Sequence, residues 1–160
     1  MISALLLGEV SMCRVSDYLK ENLVFCNVEL KSKEELFAFL AKNAGAAGDV
    51  PEEKILEHLK GRESYGSTGI GRGVAIPHCR ISGSNEVLIQ LVSLSEPIDY
   101  GSPDGEKVRL VFMLIVPEGN NQLYLRLISK ISVVCANRIK RAALFSAKNA
   151  AELMNLVQKI

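Results

Sequence analysis

The stretch Arg62-Glu63-Ser64-Tyr65-Gly66-Ser67-Thr68-Gly69-Ile70-Gly71-Arg72-Gly73-Val74-Ala75-Ile76-Pro77-His78 concentrates the residue types that could do chemistry. Glycines at 66, 69, 71 and 73 let the backbone take positive φ and approach a partner closely. Loops of this kind can present successive N–H groups as an anion-binding nest. His78, one of 2 histidines in the chain, follows a proline that fixes the backbone, and the reading places it at the end of a strand. Its neutral imidazole is a nucleophile that can attack phosphorus without a helper base, its ordinary pKa being about 6.5. Arg62 and Arg72 could supply fixed positive charge, and Ser67 and Thr68 hydroxyl donors. Donors, positive charge and a placed nucleophile are the parts that stabilise a transferring phosphoryl group. The plain structural alternative is a glycine-rich turn that joins a helix to a strand, with His78 a satisfied loop residue.

Other readings of the same residues fail. Gly66 to Gly71 has Walker A spacing, but Arg72-Gly73 stands where Lys-Ser/Thr is required. Gly69-Ile70-Gly71 lacks the third glycine of a dinucleotide fingerprint, because position 74 is Val. No GxSxG nucleophile elbow is present. His58, on an amphipathic helix, reads as structural. Cys79 neighbours His78, but consecutive side chains of an extended chain point to opposite faces, so it is expected to pack inward. Arg138, Lys140 and Arg141 read as a solvated helix face.

Helices and strands alternate around this segment. Ser16 opens a short helix through Leu19, followed by β-rich Leu23 to Val28. Ser32 with Glu35 makes a capping box, ahead of a helical stripe expected to stop near Gly45. Pro51 suits the first position of the next helix, with Gly61 as its stop. Val87 to Leu94 and Val108 to Val116 are strands, the second apolar enough for a central strand covered on both faces. Leu123 to Val134 recur at helical spacing, and Asn149 with Glu152 starts a last helix. The predicted fold class is α/β, a mixed β-sheet sandwiched by helices on both faces. Residues 1–14 read as an extension, disordered or helical, and 15–160 as one domain. Met12 is an alternative start to Met1.

Composition narrows the function classes. The 160 residues are 48% hydrophobic and 23% charged, with 19 Lys plus Arg against 18 Asp plus Glu. A net charge of +1 excludes nucleic-acid or membrane binding by bulk charge, and the apolar content excludes a disordered chain. Cys13, Cys26, Cys79 and Cys135 form no close pair, so neither a zinc site nor a disulfide framework is expected; they read as reduced thiols of a cytoplasmic protein. No metal and no cofactor are called for. Leu110 to Val116 is far shorter than the ~20 residues that cross a bilayer.

Arg62-Glu63 and Ser67 to His78 closely resemble the active-site segment of phosphotransferase-system IIA domains of the fructose/mannitol type, a family that includes the standalone nitrogen-regulatory IIA proteins. The resemblance runs from about Val15 to the C-terminus. It implies the sandwich fold and a phosphocarrier in which His78 accepts a phosphoryl group from a phosphohistidine carrier of the HPr type. Arg62 would support the phosphorylated histidine; the loop's own chemistry makes Ser67, Thr68, Gly69, Gly71, Arg72 and Gly73 the phosphate-binding candidates beside it. A regulatory or transporter protein would act downstream. Such domains usually carry a second histidine after the Val-Pro turn, where this chain has Tyr124. A phenol donates a hydrogen bond but carries no imidazolium charge near neutral pH. Loss of a charge-assisted bond of ~1.5–3 kcal/mol would slow transfer roughly tenfold to a hundredfold. A regulatory phosphorelay is therefore the first reading. A phosphorylation-silent interaction module and a sugar-specific IIA component are the alternatives.

Overall fold

The computed structural model describes residues 13–160. The possible start at Met12 and most of the expected extension lie outside the described residues. The described chain begins with a 3-10 turn at Val15–Tyr18 rather than a helix through Leu19, which already belongs to strand β1 (Leu19–Val28). Helices α1 (Lys33–Ala47) and α2 (Glu52–Ser64) follow. Three short strands come next: β2 (Gly69–Gly71), β3 (Val74–Ala75) and β4 (His78–Ile81). The long strands β5 (Leu88–Ile98) and β6 (Val108–Pro117) precede α3 (Asn121–Ala136), α4 (Arg138–Ser146) and α5 (Ala150–Val157).

The strands form one mixed sheet in the order β1-β5-β6-β3-β2, with β4 also on β6. β5 and β6 are antiparallel, whereas β1 on β5, β3 on β6 and β4 on β6 are parallel. Alternate residues of β6 feed two cores. Val111, Met113 and Ile115 pack with Leu36, Phe37, Leu40, Ile55 and Leu59 of α1 and α2. Leu110, Phe112, Leu114 and Val116 pack with Leu127, Ile131, Leu144, Leu153 and Val157 of the C-terminal helices. A strand covered on both faces must be apolar at consecutive positions. The expected sandwich is therefore the fold observed.

Several boundaries differ from the sequence reading for local reasons. α1 passes through Gly45, where an added Cβ would stand 3.0 Å from the Glu52 backbone nitrogen; the glycine admits the start of α2 rather than ending α1. Gly61 is open to solvent inside α2, and a helix tolerates such a glycine at a cost of about 1 kcal/mol relative to Ala. Pro51 is the N-cap, one residue before the helix. β5 continues through Pro97 because its register with β6 breaks between Ser93 and Ile98, where a missing N–H is tolerated. The two cap signatures hold: Ser32 Oγ accepts from Glu35 N at 3.1 Å and Asn149 Oδ1 from Glu152 N at 2.9 Å.

Candidate functional site

His78 opens β4 rather than ending a strand. The carbonyl of Pro77 accepts from Leu114 N at 3.0 Å, and His78 pairs with Leu114 of β6. Pleating then sends Cys79 and Ile81 into the core under α1 and α2. His78 and Arg80 take the opposite face, towards α3. Cys79 is buried, and burial pushes its thiol pKa up to about 12, so it stays protonated behind the histidine.

The half-buried His78 ring is fixed at one nitrogen. Its Nδ1 lies 2.5 Å from the Ile76 carbonyl oxygen, which can only accept, so Nδ1 carries the proton and Nε2 keeps its lone pair. Desolvation lowers the pKa below the usual histidine value. The Ile76 hydrogen bond opposes that shift, while the nearby Arg62 and Arg80 charges add to it. At neutral pH the ring is an uncharged imidazole with a free nucleophilic nitrogen.

Three side chains frame it. The Tyr124 ring packs edge-on against His78, with centroids 5.3 Å apart. Burial raises the Tyr124 pKa against the pull of Arg62 and Arg80, so the phenol is neutral. Arg80 lies 5.4 Å from the Tyr124 ring centroid, and its guanidinium donates to Asn121 Oδ1 at 2.5 Å. Arg62, in the last turn of α2, donates to the Gly66 carbonyl at 3.0 Å. Arg62, Arg80 and Tyr124 border a shallow depression together with His58, Cys79 and Glu118.

The glycine loop is organised by the protein's own groups. Thr68 N and Oγ1 both donate to the Glu63 carboxylate, the hydroxyl at 2.6 Å. The Tyr100 hydroxyl meets Thr68 Oγ1 at 2.6 Å, and Lys33 Nζ lies 2.6 Å from Glu63 Oε1. Gly69 N donates to Ser67 Oγ at 3.1 Å and Arg72 N to Asp104 Oδ2 at 2.8 Å. Gly71 and Gly73 flank Arg72 at the β2–β3 turn, all three at positive φ. Val74, beside that turn, pairs with Leu110, four residues or ~13 Å along β6 from the level of His78. The Arg72 guanidinium reaches the Ala136 carbonyl at 3.1 Å, at the far end of α3 from Tyr124. Arg62 and Tyr124 therefore gather at His78. Ser67 and Thr68 lie in the adjoining loop, bridged by the Thr68 carbonyl accepting from Ile76 N at 2.9 Å. Arg72, with its flanking Gly71 and Gly73, lies at the far end of the same flank of β6, away from His78.

The sequence reading passed over Arg80 and Asn121 as site residues. Arg80 carried a signal, two positions after His78 in an extended strand; Asn121 carried none before the strand and helix were docked. His58 Nδ1 bonds its own helix at the Lys54 carbonyl; Arg138 and Lys140 are exposed, whereas Arg141 is half-buried and bonds the Cys135 and Ala136 carbonyls. All four cysteines are free thiols, two half-buried and two buried.

A mixed sheet between two helical layers, with a neutral, half-buried histidine opening a strand on the flank of β6, defines a class of α/β domain with an unprotonated imidazole nitrogen beside two guanidinium groups. The family described as phosphoenolpyruvate-dependent sugar phosphotransferase system, EIIA 2, matches residues 17–160, and the chain belongs to it. It is 35% identical to a nitrogen regulatory protein of Pseudomonas aeruginosa, over 91% of this chain and 96% of that one. It is 28% identical to a fructose-specific EIIABC component of Bacillus subtilis, over 91% of this chain but only 23% of that longer protein. The structure of a nitrogen regulatory protein IIA-Ntr from Neisseria meningitidis superposes with a TM-score of 0.86 at 29% identity, covering 89% of this chain and 98% of that one. Among the described residues no helix is long and apolar enough to cross a membrane.

Proposed function

We propose that this chain is a phosphocarrier that accepts a phosphoryl group on Nε2 of His78 from a phosphohistidine protein of the HPr type, in a nitrogen-related regulatory relay. The observation that carries the reading is the hydrogen bond from His78 Nδ1 to the Ile76 carbonyl, which leaves Nε2 unprotonated. In the transfer the Nε2 lone pair forms the new N–P bond as the donor's N–P bond breaks, and the donor imidazole leaves with that electron pair. The proton stays on Nδ1, donated to the Ile76 carbonyl oxygen throughout. Arg62 and Arg80 supply positive charge for the phosphoryl oxygens, and Tyr124 supplies a hydroxyl donor. The Thr68 carbonyl supports the Ile76 segment, and the Gly71–Gly73 turn holds the loop at its far end. The similarity to nitrogen regulatory proteins supports a regulatory output over sugar transport.

Incubation with a phosphorylated HPr-type carrier should give an acid-labile, base-stable phosphoprotein that is lost in His78→Ala. Label that persists in His78→Ala overturns the assignment. A second reading rests on Tyr124, whose neutral phenol brings no charge to the phosphoryl group: a regulatory module that keeps the fold without the chemistry. It requires an unlabelled wild-type protein under donor excess, with partner binding indifferent to His78→Ala.

A further inference from the structure

α2 presents the chain's other imidazole to the depression that Tyr124 shares with His78's surroundings. His58 precedes Arg62 by one helical turn, so both side chains project from one face of the helix. The Lys54 carbonyl lies 2.8 Å from His58 Nδ1 and can only accept, so that nitrogen carries its proton and Nε2 is the one left for other partners. Around the depression, α2 contributes His58 and Arg62, β4 contributes Cys79 and Arg80, and Glu118 and Tyr124 come from the end of β6 and the start of α3. Both guanidinium groups are anchored, Arg62 on the Gly66 carbonyl and Arg80 on Asn121. Two fixed cations thus face one carboxylate, Glu118, and the neutral phenol adds no charge. An oxyanion bound there gains most from a third donor that can become cationic.

We propose that His58 is a ligand for a phosphoryl oxyanion in this depression: protonated at Nε2, it donates to an oxygen held between Arg62 and Arg80. Its role in transfer rests on the reading of His78 as acceptor, but its anion binding does not, and two measurements separate them. The first titrates the protein with inorganic phosphate at about pH 6.5, following the ring signals of His58 and Tyr124. His58→Ala should weaken the phosphate Kd at least about fivefold, and His58→Lys should bring it back to within about twofold, since the cation is what matters. An unchanged Kd in His58→Ala, or a His58→Lys variant no better than the alanine, overturns the inference. The second measures labelling of His78 by phosphoramidate, a small phosphoryl donor that needs no partner surface. Labelling should slow at least about fivefold in His58→Ala. Equal labelling of wild type and His58→Ala overturns the transfer role of His58 and leaves His78 as acceptor. A wild type that never labels, yet shows the His58-dependent phosphate Kd, overturns the acceptor reading and leaves the anion site standing.

Discussion

His78 is tuned by two opposing influences: burial favours the neutral ring, while the Ile76 carbonyl rewards the proton on Nδ1. Because burial wins, the folded chain holds the histidine proton less tightly than the unfolded chain does, whose histidine titrates near ~6.5. Between that pH and the lower folded value the unfolded state binds more protons, so stability falls as pH drops through the window and levels off below it. His78→Gln should flatten that part of the stability curve measured by urea unfolding, and an unchanged slope would assign the acid sensitivity elsewhere. The acceptor rate should likewise hold through neutral pH and fall only below the depressed pKa, because Nε2 must be unprotonated to attack. Tyr124 sets the other limit on the rate. Its ring touches His78 edge-on but brings no charge, so Tyr124→His should speed labelling by roughly tenfold or more. Pre-steady-state labelling of the two proteins decides it, and equal rates would remove Tyr124 as the limiting group.

The elements around the histidine are held by polar clamps that periodicity does not disclose. Glu63 leaves the end of α2, accepts from both Thr68 N and Thr68 Oγ1, and meets Lys33 from the first turn of α1. Thr68 in turn passes its carbonyl to Ile76 N, and the Ile76 carbonyl holds His78. Thr68→Val keeps the shape and removes the hydroxyl, leaving a Glu63 carboxylate oxygen and the Tyr100 hydroxyl short of a partner in a buried site. A loss of about 1–3 kcal/mol in urea unfolding is expected, with slower labelling as the Ile76 segment loosens. Values within experimental error of wild type would show that the loop stands without the clamp. The capping signatures at Ser32 and Asn149, the apolar run of β6 and the long motif ending in His78 were all legible in the sequence, because each is a local code. The clamp was not, because Lys33 and Tyr100, which complete it, lie about thirty residues away on either side of Glu63 and Thr68. Arg72 misled for the same reason: the residues that claim it, Asp104 and Ala136, are distant in sequence, so its place at the far end of the β6 flank from His78 has no local signature.

At the scale of the whole molecule, a nearly neutral chain leaves stability to burial, and the two cores share one sheet whose β5 is flanked by β1 and β6. Near the start of β5 stands Gln90, fully buried, with neither Nε2 nor Oε1 hydrogen-bonded to the protein. Leu88 and Val92, two positions to either side, belong to the core under α1 and α2, so pleating sends the Gln90 amide into that layer. Met113 is its register partner on β6. Burying an amide without partners costs about 1–3 kcal/mol, whereas an apolar side chain of similar volume loses nothing there. Gln90→Met should therefore raise the unfolding free energy by about 1–2 kcal/mol at an unchanged denaturant m-value. His78 and Arg80 face the opposite layer, so labelling of His78 should proceed at the wild-type rate in the same variant. A destabilised Gln90→Met would mean that the amide is satisfied by an internal water that the methionine displaces. A stabilised protein with normal labelling would instead show that this polar group serves neither the core nor the phosphoryl site.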